Sequence, residues 1–153
     1  MEPYRTFLIT GATRGIGRAL SDKLSGQGHL VVGIARHVDA GFPGVLYTAD
    51  LSSADETRVV LLKITENHEI HGIVNNVGVA LPQQLGNIDI QTFLNVMDIN
   101  VRVAVQITQA LVSNMKSRGW GRIVNVCSRA IFGATDRTAY AAAKSALVGC
   151  TRT

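Results

Sequence analysis

The sequence predicts an α/β fold, a doubly wound parallel sheet with helices on both faces. Three observations predict it. Short apolar runs rich in Val, Ile and Leu alternate with longer amphipathic stretches, the pattern of strands joined by crossover helices. The first apolar run breaks into a turn with three glycines that opens a helix. Breaks such as Gly26-Gln27-Gly28, Gly41-Phe42-Pro43-Gly44 and Arg118-Gly119-Trp120-Gly121 fall between the elements. No internal repeat, low-complexity tract or linker divides the chain, so residues 1–153 read as one domain.

The first strand is expected over 5–10, around Phe7-Leu8-Ile9. Thr10-Gly11-Ala12-Thr13-Arg14-Gly15-Ile16-Gly17 follows. Gly15 and Gly17 open an amphipathic helix over 15–27, with Ile16, Ala19, Leu20 and Leu24 among its apolar positions. Strand, glycine turn and helix make the layout of a dinucleotide site. The glycines let backbone N–H groups approach a pyrophosphate at the helix N-terminus. The spacing is G-x-x-x-G-x-G, not G-x-G-x-x-G. Glycines that serve packing alone at a strand-to-helix turn are the competing reading. Further strands are expected over 30–35, 45–49, 72–76 and 122–127. Helices are expected over 53–67 and 90–118, and from Ala139 onward. That last helix runs to Thr151-Arg152-Thr153 without a glycine stop, so it reads as cut rather than finished.

Within it stands Tyr140-Ala141-Ala142-Ala143-Lys144. Three alanines favour helix, and residues four apart share a helix face. The phenol and the ammonium therefore point into one space. A fixed cation favours the phenolate and lowers its pKa, which turns a weak acid into a proton donor for neutral pH. A Tyr and a Lys at this spacing also occur by chance, so the pair gains its meaning from the glycine turn upstream.

Composition bounds the rest. A hydrophobic fraction of 46% suffices for a core. No apolar run approaches a membrane span, and Met1-Glu2-Pro3-Tyr4-Arg5 leads straight into a strand, which predicts no signal peptide. Cys127 and Cys150 lack metal-type spacing and suit a reducing, cytoplasmic setting. His68 and His71 sit near a helix end without a third ligand, so no metal site is expected. The net charge of +4 is modest and its Lys and Arg residues are scattered, so nucleic-acid binding is not expected.

Taken together the motifs resemble the short-chain dehydrogenase/reductase family. The Thr10-Gly11-x-x-x-Gly15-x-Gly17 turn, Asp50, Asn75-Asn76-Val77-Gly78, Asn100, Ser128 and Tyr140-x-x-x-Lys144 occur in the family's order across nearly the whole chain. Within the family they look most like the 3-oxoacyl-carrier-protein reductases. Val77 replaces the family's usual Ala in Asn-Asn-Ala-Gly. Family members also run longer. The resemblance therefore implies a Rossmann-type sheet that is C-terminally incomplete, without its last strands and substrate lid.

The resemblance also assigns roles. Tyr140 would be the general acid or base in interconverting a small-molecule carbonyl and an alcohol. Lys144 would lower its pKa and bind the nicotinamide ribose, Ser128 would hydrogen-bond the substrate oxygen, and Asn100 would hold a water linking Lys144 to solvent. Gly11, Thr13, Arg14, Gly15, Ile16 and Gly17 would cross the cofactor phosphates. Asp50 and Leu51 would meet the adenine, and Asn76 and Gly78 would run along the adenosine. Ser128 as a turn cap, Asn100 as a helix interruption and Asp50 as a solvated loop residue are the plain alternatives. An acid at the end of the second strand would bind both ribose hydroxyls and repel a 2′-phosphate. Ala35 stands there, followed by Arg36. Arg36 with Arg14 predicts NADP over NAD through charge-assisted bonds. The resemblance also implies a homo-oligomer when the chain is full length, with the 90–118 helix and the Tyr140-bearing helix paired across a dimer interface. The alternatives from other classes are an inactive nucleotide-binding fragment and an assembly module using Phe93, Val96, Met97, Val101, Val105 and Leu111.

Overall fold

Strands β1 (Thr6–Thr10), β2 (Leu30–Ala35), β3 (Val45–Thr48), β4 (Gly72–Asn75) and β5 (Arg122–Asn125) pair in parallel in the order β3-β2-β1-β4-β5. The computed structural model describes residues 4–153, so the expectation placed on Met1, Glu2 and Pro3 lies outside the described residues. The strand order reverses between β1 and β4. In such sheets ligands bind beyond the strands' C-terminal ends at that reversal.

Helices α1 (Gly15–Gly26), α2 (Ala54–Asn67), α3 (Ile90–Met97), α4 (Val103–Ser117) and α5 (Thr138–Thr151) complete the chain. Alternation along the strands sends side chains to two faces. Leu8, Val32, Ile34 and Ile73 pack on one face against Val60, Leu61 and Ile64 of α2 and Val103, Ile107 and Leu111 of α4. Ile9, Val31 and Val74 pack on the other against Leu20 and Leu24 of α1. The fold is thus a Rossmann-type doubly wound parallel sheet. Ser53 caps α2 by accepting from the Glu56 N–H, and Asp89 caps α3 by accepting from the Thr92 N–H.

Two expectations need correction. The helix expected over 90–118 is not continuous: Asp98–Arg102 forms a π-helical turn between α3 and α4. The cause is Asn100. Its Nδ2 donates to the carbonyl of Val96, four residues back, and to that of Val79, each at 2.8 Å. A side chain that takes the i−4 carbonyl competes with the α-helical ladder and widens it. Strands expected to reach residues 49, 76 and 127 stop at Thr48, Asn75 and Asn125. At β4 the reason is visible: the N–H groups of Asn76 and Val77 both donate to the side-chain Oγ1 of Thr10, the last residue of β1, at 3.0 Å and not to a backbone carbonyl of that strand.

Candidate active site

The glycine turn follows β1 directly. Gly11 has φ +63°, a left-handed conformation that glycine adopts without strain. A Cβ on Gly17 would collide with the Gly11 carbonyl oxygen, so the first turn of α1 lies against the strand end. The Asn76 amide supports the turn from behind. Its Nδ2 donates to the carbonyls of Thr10 at 2.9 Å and Gly11 at 3.2 Å. Asn76 therefore spends its Nδ2 hydrogens on the turn.

In front of the turn a cleft of about 680 Å³ extends along the sheet's C-terminal edge. Gly11, Thr13 and Arg14 line it at the turn, Arg36, Asp50 and Leu51 beyond β2 and β3, and Gly78 after β4. Gly15, Ile16 and Gly17 do not line it, and Ile16 is largely exposed. His37 and Asp98 also line it. Neither was singled out from the sequence; His37 was reachable as the neighbour of Arg36, and Asp98 as the i,i+4 partner of Arg102. Arg14 and Arg36 have no carboxylate within 4 Å among the described residues, so both guanidinium groups are uncommitted. The Asp50 carboxyl is held below its ordinary pKa, chiefly by hydrogen bonds from Ser52 N–H at 3.0 Å and Ser52 Oγ at 2.8 Å, and further by the charge of Arg36.

Asn100 and Lys144 converge past Gly78. Lys144 and Asn100 are each 2% exposed. A Cβ built on Gly78 would lie 2.5 Å from Asn100 Oδ1 and 3.2 Å from Lys144 Nζ, so both polar atoms converge on that glycine. Asn100 Oδ1 has no hydrogen-bond partner among the described residues, although both hydrogens of its amide are engaged. Lys144 Nζ donates to the Val126 carbonyl at 2.9 Å and lies 5.6 Å from the centre of the Tyr140 ring. Burial pushes the Lys144 ammonium below its ordinary pKa, partly offset by the Cys127 sulfur. Tyr140 is half-buried, one helical turn before Lys144 on α5. Ser128 follows β5, and its Oγ accepts from the Ala130 N–H at 3.2 Å as the cap of a short 3₁₀ turn, Arg129–Phe132. That bond uses a lone pair and leaves the hydroxyl proton free to donate.

This arrangement can do acid–base chemistry beside the cleft. Among the described residues no group of His, Cys, Asp and Glu could hold a metal ion, and no helix is long and apolar enough to cross a membrane.

Comparison with known proteins agrees with that layout. Residues 5–153 match the short chain dehydrogenase family. The chain is 30% identical to a 3-oxoacyl-[acyl-carrier-protein] reductase of Haemophilus influenzae, covering 93% of this chain and 63% of the relative. It is 32% identical to an NADPH-dependent pterin aldehyde reductase of Arabidopsis thaliana, covering 97% and 66%. Among solved structures, a short-chain dehydrogenase from Streptomyces avermitilis superimposes with a TM-score of 0.91 at 25% identity, over 99% of this chain and 60% of that one. A candidate NAD(P)-dependent gluconate 5-dehydrogenase from Beutenbergia cavernae, with NADP bound at low occupancy, gives 0.89 at 28% identity over 97% and 64%. The chain thus spans about six-tenths of the length of these relatives. On the family match, the sheet order and the glycine turn together, the chain belongs to the short-chain dehydrogenase family.

Proposed function

We propose that this chain carries the cofactor and catalytic residues of an NADP-dependent oxidoreductase that interconverts a small-molecule carbonyl and a secondary alcohol. One observation carries the reading. Two buried polar groups, Asn100 Oδ1 and Lys144 Nζ, converge on Gly78 at the cleft's end, with the Tyr140 ring beside the ammonium. Burying such groups is costly unless they are paired or functional.

The residues fit a phosphorylated dinucleotide. The cleft has a glycine turn on one wall, one uncommitted guanidinium at that turn (Arg14), another just after β2 (Arg36) and no acid at position 35. Bound there, the reduced cofactor supplies the hydride and the protein supplies position and charge. Arg36 and Arg14 would hold the 2′-phosphate, Asp50 and Leu51 the adenine end, and Gly78 would run along the adenosine. Tyr140 gives its phenolic proton to the substrate oxygen during reduction and takes it back during oxidation. Lys144 stabilises the phenolate that results. The free hydroxyl proton of Ser128 donates to the same oxygen as charge develops on it. Asn100 Oδ1 accepts a hydrogen bond beside Lys144, on the route by which a proton returns to Tyr140. The reading extends to a cytoplasmic homo-oligomer, for which the exposed Ile90, Leu94 and Val105 on α3 and α4 offer apolar surface.

Tyr140→Phe tests the assignment. NADPH binding, followed by cofactor fluorescence, should persist. The reduction of a panel of ketones and 3-oxoacyl thioesters should fall by about 10²–10⁴-fold. A near-normal rate would remove Tyr140 from the role, and failure of the unmutated protein to bind NADPH would remove the whole reading.

A further inference from the structure

The π-helical turn presents one side chain that the chemistry above does not use. Arg102 bonds four separate parts of the fold. Its Nε and Nη2 take both oxygens of Asp98 at 2.9 and 2.6 Å. Nη1 donates to Gln106 Oε1 of α4 at 2.9 Å and to Thr57 Oγ1 of α2 at 3.4 Å. Nη2 also reaches the backbone carbonyls of Leu51 at 2.8 Å and Ser52 at 3.2 Å.

Those two carbonyls belong to the loop after β3 that walls the cleft. Ser52 is held from two sides. Its N–H and Oγ fix the Asp50 carboxylate, while its carbonyl is fixed by Arg102. Arg102 itself does not line the cleft, and its side chain is 24% exposed. Asp98 does line it, with its carboxylate neutralised by the guanidinium.

We infer that Arg102 is a positioning residue for the adenosine half of the cleft, strapping the Asp50–Leu51–Ser52 loop to the turn that bears Asn100. The inference rests on the dinucleotide reading above. A guanidinium suits the task because its planar fork serves a carboxylate and two carbonyls at once. Lysine offers one charged nitrogen and cannot serve all three. The strap acts on the adenosine end, so its loss should weaken cofactor affinity and leave turnover at saturating cofactor unchanged.

The test uses 2′,5′-ADP, which carries the adenosine end alone, titrated calorimetrically into the protein and its variants. Binding by the unmutated protein checks the nucleotide reading separately. Arg102→Met should weaken that binding roughly 10–100-fold, the effect of losing a charged hydrogen-bonding partner. Arg102→Lys should lie between the two, and it carries the test by the same measure if the Met variant does not fold. In steady state, Arg102→Lys should raise KM for NADPH while keeping kcat. If Arg102→Lys binds 2′,5′-ADP as well as the unmutated protein, or kcat falls in step with affinity, the inference is wrong.

Discussion

Gly78→Ala is the sharpest perturbation this geometry offers. The added methyl would stand 2.5 Å from Asn100 Oδ1 and 3.2 Å from Lys144 Nζ. An ordinary carbon–oxygen contact begins near ~3.3 Å, so the first clash is short by about 0.8 Å. Asn100 cannot step aside cheaply, because its Nδ2 is pinned at 2.8 Å to both Val79 and Val96 carbonyls inside the π-helical turn. Gly78 has no positive φ, so the effect is steric and not a matter of backbone strain. Overpacking of this kind costs about 1–3 kcal/mol, which lowers Tm by roughly 2–10 °C in a domain of this size. The displaced Asn100 and Lys144 should reduce turnover by about 10²-fold, as expected for a misplacement of ~1 Å at reacting groups. Thermal melts and carbonyl-reduction kinetics read the two effects. A double-mutant cycle separates them: in an Asn100→Ala background the main collision is gone, and Gly78→Ala should cost under ~0.5 kcal/mol. If Gly78→Ala keeps full turnover, or costs the same stability in both backgrounds, the convergence on Gly78 is not what organises this site.

Arg36→Asp should turn the preference from NADPH toward NADH, with NADPH affinity falling about 10–100-fold as one charge-assisted contact is lost and a repulsive one gained. Equal kinetics with both cofactors in the unmutated protein would refute it. Lys144 carries a pH signature: burial lowers its pKa from the ordinary 10.5, so above the folded value the unfolded chain binds more protons. Stability relative to Lys144→Met should therefore be flat at lower pH and rise through the depressed pKa toward 10.5, by at most about 1.4 kcal/mol per pH unit; urea melts that stay parallel up to that pH would contradict it. The outer edge of β5 is unpaired among the described residues and Val124 on it is 51% exposed, so the 153-residue polypeptide should self-associate and Val124→Lys should reduce the association seen by light scattering. Identical scattering from the two would rule out the edge as the cause.

The sheet and the local motifs were legible in the sequence because their signals are local. The β1 glycine turn and the Tyr140–Lys144 spacing each need only one strand-to-helix junction or one helical turn. What was not legible depends on distant partners. Thr10 caps the end of β4 through two N–H groups more than sixty residues away. Position alone does not show that the Asn76 Nδ2 goes to the carbonyls of Thr10 and Gly11. Apolar periodicity over 90–118 reads as one helix, and nothing in that window reveals that Asn100 reaches the Val79 carbonyl and opens a π-helical turn. The same holds for Arg102, whose i,i+4 pair with Asp98 is visible but whose grip on the Leu51 and Ser52 carbonyls is not.

The structural and the chemical readings of the site residues turn out not to compete. Ser128 does cap a turn, but through a lone pair that leaves its proton free. Asn100 does interrupt its helix, but through its Nδ2, leaving a buried Oδ1 without a partner. Lys144 does brace the Val126 carbonyl, and an ammonium has two further hydrogens to give. Each side chain is fixed by one atom and keeps another available. The Asn100 oxygen takes no hydrogen bond from the described residues, which leaves it to a bound water or ligand, because a buried acceptor wholly without a partner would cost about 1–3 kcal/mol. A purely structural role gives no reason to bury an ammonium whose pKa is thereby depressed. Anchoring at one end explains how these groups hold their geometry, and the proposed chemistry would give the free atoms a use.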